Sequence, residues 1–197
     1  PGEKLALLEQ AQARAPDAAR PRVERARLLA AQGQPQAALQ ALAELPAHAP
    51  QALPLVACEM VALAAQCQAL PQTRALLEQS YAQAPALDVA EALAQACRAS
   101  GTSDTGDASQ QQARQIYVRH LEQTPSLNAA ARWLAGAPIA PPETHAAVQR
   151  AVERAARPLA CYRCAACGFT AKTHFWQCPG CQAWDTMPPR RVEELDK

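Results

Sequence analysis

Four cysteines near the C-terminal end of the sequence have the spacing of a metal site. They lie in CYRCAACGFTAKTHFWQCPGCQAWDT, residues 161–186, as two Cys-x-x-Cys pairs: Cys164 with Cys167, and Cys178 with Cys181. Two such pairs on tight turns can direct four sulfurs at one point and build a tetrahedral site for zinc or iron. Unrelated cysteines or two disulfides are the alternative, and the paired spacing favours a metal. We predict one metal ion bound by these four cysteines, with zinc preferred over iron.

The residues around the two pairs support a small metal-dependent module. Gly168 follows the first pair and Pro179 lies inside the second, where tight turns are expected. Five of the eight aromatic residues in the chain are also here: Tyr162, Phe169, Phe175, Trp176 and Trp184. A module this short cannot form a core from apolar side chains alone, so a metal ion and large rings are expected to stabilise it. We expect Phe169, Trp176 or Trp184 to pack against neighbouring helices.

Two further residues in the segment, Cys161 and His174, are of a type that could bind the metal. Cys161 forms another Cys-x-x-Cys with Cys164, but Gly168 follows Cys167 as the turn requires. We therefore predict that Cys161 is a spare thiol at the entrance of the module. His174 lies between two complete pairs, and we predict that it is exposed and not a ligand.

Charge and composition narrow the function classes. The net charge is +1, which gives no electrostatic case for nucleic-acid binding, and Lys172 is the only basic residue between the pairs. A local basic run is predicted to be a solvated helix face, with a docking patch for an acidic partner as the alternative. Its members are Arg150, Arg154, Arg157 and Arg163.

The rest of the chain gives no sign of an enzyme. It shows no Ser/His/Asp arrangement and no phosphate loop, and four thiolates would leave no open metal position. Cys58, Cys67 and Cys97 are scattered through apolar sequence and suit a reducing compartment. No run of about 18 apolar residues and no signal peptide is present. The chain starts at Pro1 within a helical pattern, so we expect a fragment whose membrane anchor, if any, lies upstream.

Residues 1–157 are rich in helix-forming residues and have a repeating pattern. Four prolines follow similar segments at intervals of 34, 35 and 40 residues: Pro16, Pro50, Pro85 and Pro125. The last interval contains the insertion GTSDTGDAS, residues 101–109. A period near 34 is typical of tetratricopeptide helix pairs, with a non-repeating helical bundle as the alternative. We predict a mainly α fold: a tetratricopeptide-type solenoid over residues 1–157 and a small metal module over residues 158–197.

The individual repeats match the pattern to different degrees. Residues 19–50 match best, with Ala26, Gly33, Ala38 and Pro50 at the small, turn, small and closing positions. Gly33 is expected to end its helix in a left-handed conformation. The next unit has Cys67 or Gln68 where glycine is expected, and it places Pro54 in its first helical turn.

Two more helices and a binding groove complete the prediction. We expect one helix over residues 126–136, with Trp133, and a capping helix over residues 142–157, separated by a rigid break at residues 137–142. Stacked helix pairs form a concave groove lined by the first helix of each pair. The predicted groove residues are Arg20, Glu24, Arg27, Leu55, Glu59, Gln66, Leu87, Glu91 and Arg98.

The pattern Tyr-x-Cys-x-x-Cys-Gly-Phe-Thr-Ala, followed by Trp-x-Cys-Pro-x-Cys-x-x-Trp, directly follows the helical repeats. It begins at Tyr162 and ends at Trp184. This combination resembles the lipopolysaccharide assembly protein B family of Gram-negative bacteria. The resemblance implies a rubredoxin-like module that packs against the repeats, with Cys164, Cys167, Cys178 and Cys181 as metal ligands, in a protein whose membrane anchor is N-terminal.

The resemblance also implies an adaptor and not an enzyme. Members of the family regulate lipopolysaccharide synthesis by bringing the lipid A committed-step deacetylase to a membrane AAA+ metalloprotease, on the cytoplasmic side of the inner membrane. Two other functions fit the residues: an iron–thiolate electron-transfer protein, and a generic repeat scaffold with a structural zinc site. A zinc-ribbon nucleic-acid binder ranks last because Lys172 is the only basic residue between the two cysteine pairs.

Overall fold

The computed structural model describes residues 2–100, 106–136 and 142–195, and this part of the chain is mainly helical. It forms two compact units, Pro1–Ala84 and Pro85–Lys197. The second unit ends in the four-cysteine module, so the predicted mainly α fold with a C-terminal metal module is confirmed. The predicted domain boundary after residue 157 stays a prediction. None of the described helices combines the length and hydropathy needed to cross a bilayer.

The first unit is built from six α-helices and a 3-10 helix. In chain order these are α1 (Gly2–Arg14), α2 (Ala19–Ala31), α3 (Pro35–Ala43), α4 (Leu45–His48), the 3-10 helix Pro50–Leu55, α5 (Ala57–Gln66) and α6 (Leu70–Gln83). Helices α1, α2, α3, α5 and α6 each pack against the next in that order. Their shared core contains Val23, Leu42, Leu45, Leu53, Met60 and Leu77, all fully buried.

Within its described residues, the second unit contains four α-helices followed by the metal module. Its elements are α7 (Leu87–Ser100), α8 (Gly106–Gln123), α9 (Leu127–Ala135), α10 (Pro142–Ala156), β1 (Tyr162–Arg163), β2 (Thr170–Ala171) and the 3-10 helix Val192–Glu194. Each helix packs against the next. Strands β1 and β2 pair antiparallel, with Tyr162 opposite Ala171. The helices predicted at residues 126–136 and 142–157 are therefore present.

The four in-phase prolines all terminate helices. Helices α1, α4, α6 and α8 each end two residues before a proline, at Pro16, Pro50, Pro85 and Pro125. Proline lacks the N–H that an α-helix needs and disfavours helical geometry in the residue before it, so each one stops the chain from continuing as an α-helix. This is the placement that the repeat prediction requires, while the tetratricopeptide assignment itself stays a prediction.

Two successive predicted repeats in the first unit end their first helix with the same backbone motif. Gly33 has a φ of +74°, as predicted, and Gln68 takes the equivalent position with a φ of +55°. The amide of the following residue donates to the carbonyl five residues earlier, over 3.0 Å after Gly33 and 2.8 Å after Gln68. A left-handed conformation costs a residue with a side chain about 1 kcal/mol. Gln68 therefore fills a glycine position at an energetic cost.

The structure corrects the position of Pro54 in the second predicted repeat, and it shows more helix than expected in the insertion of the third. Pro54 does not lie in the first turn of α5, because it is inside the preceding 3-10 helix and α5 begins only at Ala57. The insertion predicted at residues 101–109 is partly helical, since α8 starts at Gly106. Residues 101–105, and the predicted rigid break up to residue 141, lie outside the described residues.

Candidate metal centre

The four predicted cysteines come together at one point in the second unit. Their sulfur atoms all lie within 4.8 Å of one another. The Cys164 and Cys181 sulfurs are 3.8 Å apart, and those of Cys167 and Cys178 are 3.7 Å apart. A tetrahedron with metal–sulfur bonds of about 2.3 Å has edges of about 3.8 Å, whereas a disulfide needs about 2.05 Å. The sulfur positions therefore fit a four-thiolate metal ion and do not fit disulfides.

The first Cys-x-x-Cys pair is held by a tight turn between β1 and β2. The carbonyl of Cys164 accepts a hydrogen bond from the amide of Gly168 over 2.9 Å, and the amide of Cys164 donates to the carbonyl of Phe169 over 2.8 Å. Gly168 has a φ of +76°, which glycine adopts at no steric cost. This is the role predicted for Gly168 from its place after the pair.

The second pair repeats this turn with different residues. The carbonyl of Cys178 accepts from the amide of Gln182 over 2.8 Å, and its amide donates to the carbonyl of Ala183 over 2.9 Å. Gln182 has a φ of +60° and is therefore the counterpart of Gly168. The sequence analysis named Pro179 as the turn residue of this pair. Pro179 does lie in the turn, but the left-handed residue that closes it is Gln182.

The two turns give the site a buried side and an exposed side. Cys164 and Cys178 are each 1% exposed, while Cys167 and Cys181 are exposed at the surface. The Thr186 hydroxyl lies 3.2 Å from the Cys164 sulfur and lowers the pKa of that thiol to about 6, together with neighbouring backbone amides. A metal ion binds the thiolate form, so Thr186 favours the binding-competent state. Nothing in the cysteine spacing pointed to Thr186.

A small aromatic core lies beside the cysteines. The ring of His174 makes edge contacts with Tyr162 and Trp176, at centroid distances of 5.6 and 4.8 Å. Its Nε2 atom lies 2.8 Å from the carbonyl oxygen of Met187. The prediction that His174 is exposed is wrong, because these contacts leave it half-buried. It lies outside the group of four clustered sulfurs.

Two of the three aromatic rings expected to pack against helices are on the surface. Phe169 is 37% exposed and Trp184 is 50% exposed. Phe169 lies over Gly180, where an added Cβ would approach its side chain to 3.2 Å. Trp176 is half-buried and packs against His174 within the module. The expected aromatic docking face is therefore not what joins the module to the helices.

A polar contact joins them instead. The Arg191 guanidinium makes two 3.0 Å hydrogen bonds with the two carboxylate oxygens of Asp88 on α7. It also donates to the carbonyl of Ala160 over 2.6 Å and lies 4.3 Å from the centre of the Tyr162 ring. The Tyr162 hydroxyl contacts Asp88 over 3.4 Å, and burial raises the pKa of that tyrosine. The sequence analysis assigned no contact to Arg191.

Cys161 and the basic run occupy the entrance of the module. The Cys161 sulfur lies apart from the four-sulfur group and faces the Arg157 carbonyl over 3.9 Å. Arg150, Arg154 and Arg157 are exposed, as the solvated-face prediction requires. The fourth member, Arg163, is half-buried in β1 and does not belong to that helix face.

Four of the predicted groove residues of the first unit, Arg20, Glu24, Arg27 and Glu59, lie close together. Arg27 on α2 makes hydrogen bonds of 2.8 and 3.1 Å with the Glu59 carboxylate on α5. Arg20 and Glu24 join Arg27 along a cavity of about 520 Å³ whose other lining residues are Lys4, Leu7, Leu8 and Leu28. The first helices of two successive predicted repeats are thus bridged by groove residues.

The predicted groove residues of the second unit behave differently. Leu87 is 5% exposed, so its assignment to the groove is wrong: as the first residue of α7 it points into the core. Glu91 forms an ion pair with Arg132 on α9 over 3.2 Å, and Arg98 is exposed.

Comparison with known proteins finds sequence similarity in the metal module. Residues 162–189 match the family model described as "Rubredoxin metal binding domain". Proteins named lipopolysaccharide assembly protein B, from Escherichia coli strain K12 and from Escherichia coli O157:H7, are 60% identical over 30 residues. That stretch is 15% of this chain and 8% of each relative's length. The chain is therefore similar to lipopolysaccharide assembly protein B in a C-terminal, rubredoxin-type metal-binding module.

Proposed function

We propose that the protein is a non-enzymatic, protein-binding adaptor that regulates lipopolysaccharide biosynthesis. The observation that carries this proposal is a four-sulfur centre in which two sulfur–sulfur distances match a tetrahedral edge, inside a segment that is 60% identical to lipopolysaccharide assembly protein B. In this proposal Cys164, Cys167, Cys178 and Cys181 bind one zinc ion. Zinc with four thiolates is a closed structural centre that supplies folding free energy and leaves no position for a substrate.

The helical units supply the binding surfaces in this proposal. Tetratricopeptide-type pairs present extended surfaces to peptide segments. The Arg27–Glu59 bridge and the adjacent cavity, with its leucines and charged rim, support a binding surface on the first unit. Helical-repeat surfaces bind through many modest contacts, so a single change there weakens binding without abolishing it.

The partners and the location follow from the family resemblance. We propose that the adaptor brings the lipid A committed-step deacetylase to a membrane AAA+ metalloprotease, so that the deacetylase is degraded. It would act on the cytoplasmic side of the bacterial inner membrane. Its contact with the membrane would be through an N-terminal anchor, and its partners would be proteins and not nucleic acid.

The proposal is tested in cells that depend on this protein for control of the deacetylase. Cells with the Cys178→Ser form should accumulate the deacetylase, because the disrupted module would no longer direct the protease to it. Cells with Cys161→Ser, whose thiol lies outside the four-sulfur group, serve as the matched control. Immunoblots measure both the deacetylase and the adaptor. Normal deacetylase levels with stable Cys178→Ser protein would refute the adaptor role of the module.

An iron–thiolate electron carrier is the second candidate. The exposure of Cys167 and Cys181 favours it, because an exposed ligand edge allows electron transfer to a partner. Absorption spectra of the purified protein separate the candidates. An iron centre is red and bleaches on reduction, whereas a zinc centre is colourless. If the protein is colourless with one zinc per chain, and its loss does not change deacetylase levels, the generic repeat scaffold would be the remaining candidate.

A further inference from the structure

The segment Arg190–Glu194 follows residues 162–189, which match the rubredoxin-type family model, and it contacts the first turns of two helices. The Glu194 carboxylate accepts a 3.0 Å hydrogen bond from the amide of Leu87, the first residue of α7. Its side chain is 3% exposed, and it also forms an ion pair with Arg190 over 3.4 Å. Arg190 in turn donates to the carbonyl of Pro85 over 2.7 Å. A buried carboxylate thus occupies the positive end of the α7 dipole.

The preceding glutamate makes the matching contact with α9. The Ser126 hydroxyl caps α9 by accepting from the amide of Ala129 over 2.9 Å, and it donates to the Glu193 carboxylate over 2.7 Å. The second oxygen of Glu193 lies 3.4 Å from the amide of Asn128. Two consecutive glutamates therefore satisfy the amino-terminal ends of two different helices.

On its other side, the segment is bonded to the metal module. The amide of Val192 donates to the Cys161 carbonyl over 2.8 Å. Arg191 donates to the carbonyls of Ala160 and Lys172, over 2.6 and 3.3 Å. Thr186, a few residues upstream, contacts the Cys164 sulfur. The acceptors on this side of the segment are backbone carbonyls of Ala160, Cys161 and Lys172, and their positions depend on the folded module.

The fold of the module depends in turn on its metal. Its sheet consists of two strands of two residues each. Its four sulfurs lie within 4.8 Å of one another and come from both turns, so one metal ion bound by them would hold the two turns together. Loss of the metal therefore opens the turns and withdraws the backbone acceptors that hold the segment.

We propose that Arg190–Glu194 is a metal-dependent latch that transmits the state of the four-cysteine centre to the amino-terminal ends of α7 and α9. With metal bound, Glu193 and Glu194 hold both helix ends. Without metal, the latch leaves and the two ends fray. This inference concerns coupling within the second unit, so it can fail or hold independently of the adaptor role.

Amide hydrogen exchange of the full chain, followed residue by residue by NMR, tests the latch. Chelation of zinc from the wild-type protein should make exchange at Leu87 and Asn128 faster, on the order of tenfold. The zinc-loaded double variant Glu193→Gln/Glu194→Gln should show the same acceleration while it retains one zinc per chain by elemental analysis. Glu122→Gln, which removes an exposed carboxylate from α8, is the charge control and should leave both rates unchanged.

Three results would overturn the latch. Unchanged exchange at both amides after zinc removal would show that the helix ends do not respond to the metal. Unchanged exchange in the zinc-loaded double variant would show that the glutamates do not hold them. Loss of zinc by the double variant would show that the two glutamates are needed to form the metal centre, and not only to respond to it. If the double variant does not fold, Glu194→Gln alone reports at Leu87 and Glu193→Gln alone reports at Asn128, with the same criteria.

Discussion

Arg191 and Asp88 form a two-point ion pair, with both nitrogen–oxygen distances at 3.0 Å, between the C-terminal segment and the first turn of α7. The Asp88 side chain is only 10% exposed, so its charge is largely removed from water. A paired charge in such a place is stabilised by the planar, two-donor geometry of arginine, which lysine cannot reproduce. This contact joins the metal module to the helices of the second unit.

The ion pair gives a prediction about stability. Arg191→Leu should lower the free energy of unfolding of the zinc-loaded protein by about 2–4 kcal/mol, because it leaves the Asp88 carboxylate largely buried without its partner. Urea denaturation followed by circular dichroism measures the change. Arg157→Leu removes an exposed arginine and should change the stability by less than about 0.5 kcal/mol. Equal effects of the two changes would contradict the role given to Arg191.

The four clustered cysteines give a prediction about metal content. Replacing Cys164, Cys167, Cys178 or Cys181 with serine should lose the metal and unfold the segment around residues 161–186, because three thiolates no longer complete the tetrahedron. Cys161→Ser should keep one metal ion per chain. Elemental analysis of the purified variants measures this. An unchanged stoichiometry in Cys178→Ser would mean that the sulfur cluster is not the binding site.

The cysteine cluster and the helix ends could be predicted from sequence because both depend on local spacing. Two residues between paired cysteines, and prolines in phase, restrict the backbone within a few positions of themselves. Gly168 belongs to the same group, since the turn needs a left-handed residue directly after the pair. Steric effects of this kind act between residues that are close in sequence, so they can be predicted from the sequence alone.

The contacts that join the module to the helices could not be predicted in this way. Glu194 and Leu87 are separated by 107 positions, and Arg191 and Asp88 by 103. Charged residues near a chain end usually read as a solvated tail, and no periodicity marks them as buried. Large rings were expected to make the contact because burial of apolar area is the general rule. Here the buried polar pair makes the contact, and Trp184 stays at the surface.

The left-handed residue after α5 gives a prediction in the first unit. Gln68→Gly should raise the free energy of unfolding by about 0.5–1 kcal/mol, because glycine adopts the φ of +55° without a steric penalty. The gain is reduced by the larger backbone entropy that glycine loses on folding. Gly33→Ala is the reciprocal change at the equivalent position and should destabilise by about 1 kcal/mol. Thermal and urea unfolding measure both, and destabilisation by Gln68→Gly would contradict the shared motif.

Thr186 gives a prediction about the pH dependence of metal binding. Its hydroxyl contributes most to lowering the pKa of Cys164 to about 6, below the ordinary value for a thiol. Because this pKa is lowered, the Cys164 thiolate that binds the metal is favoured down to a lower pH than an ordinary thiolate would be. Thr186→Val should raise this pKa, so zinc should dissociate at a higher pH than from the wild type. We also expect a loss of zinc affinity of about tenfold at neutral pH, as for other residues that support metal ligands.

Competition with a chromophoric chelator between about pH 5 and 8 measures both quantities for Thr186→Val. Thr186→Ser keeps the hydroxyl and should behave like the wild type, which separates the hydrogen bond from the packing of the threonine methyl group. Thr170→Val on β2 is a second control, because that exposed threonine belongs to the module and lies outside the four-sulfur group. Identical pH profiles for Thr186→Val and the wild type would show that the 3.2 Å contact does not tune the Cys164 sulfur.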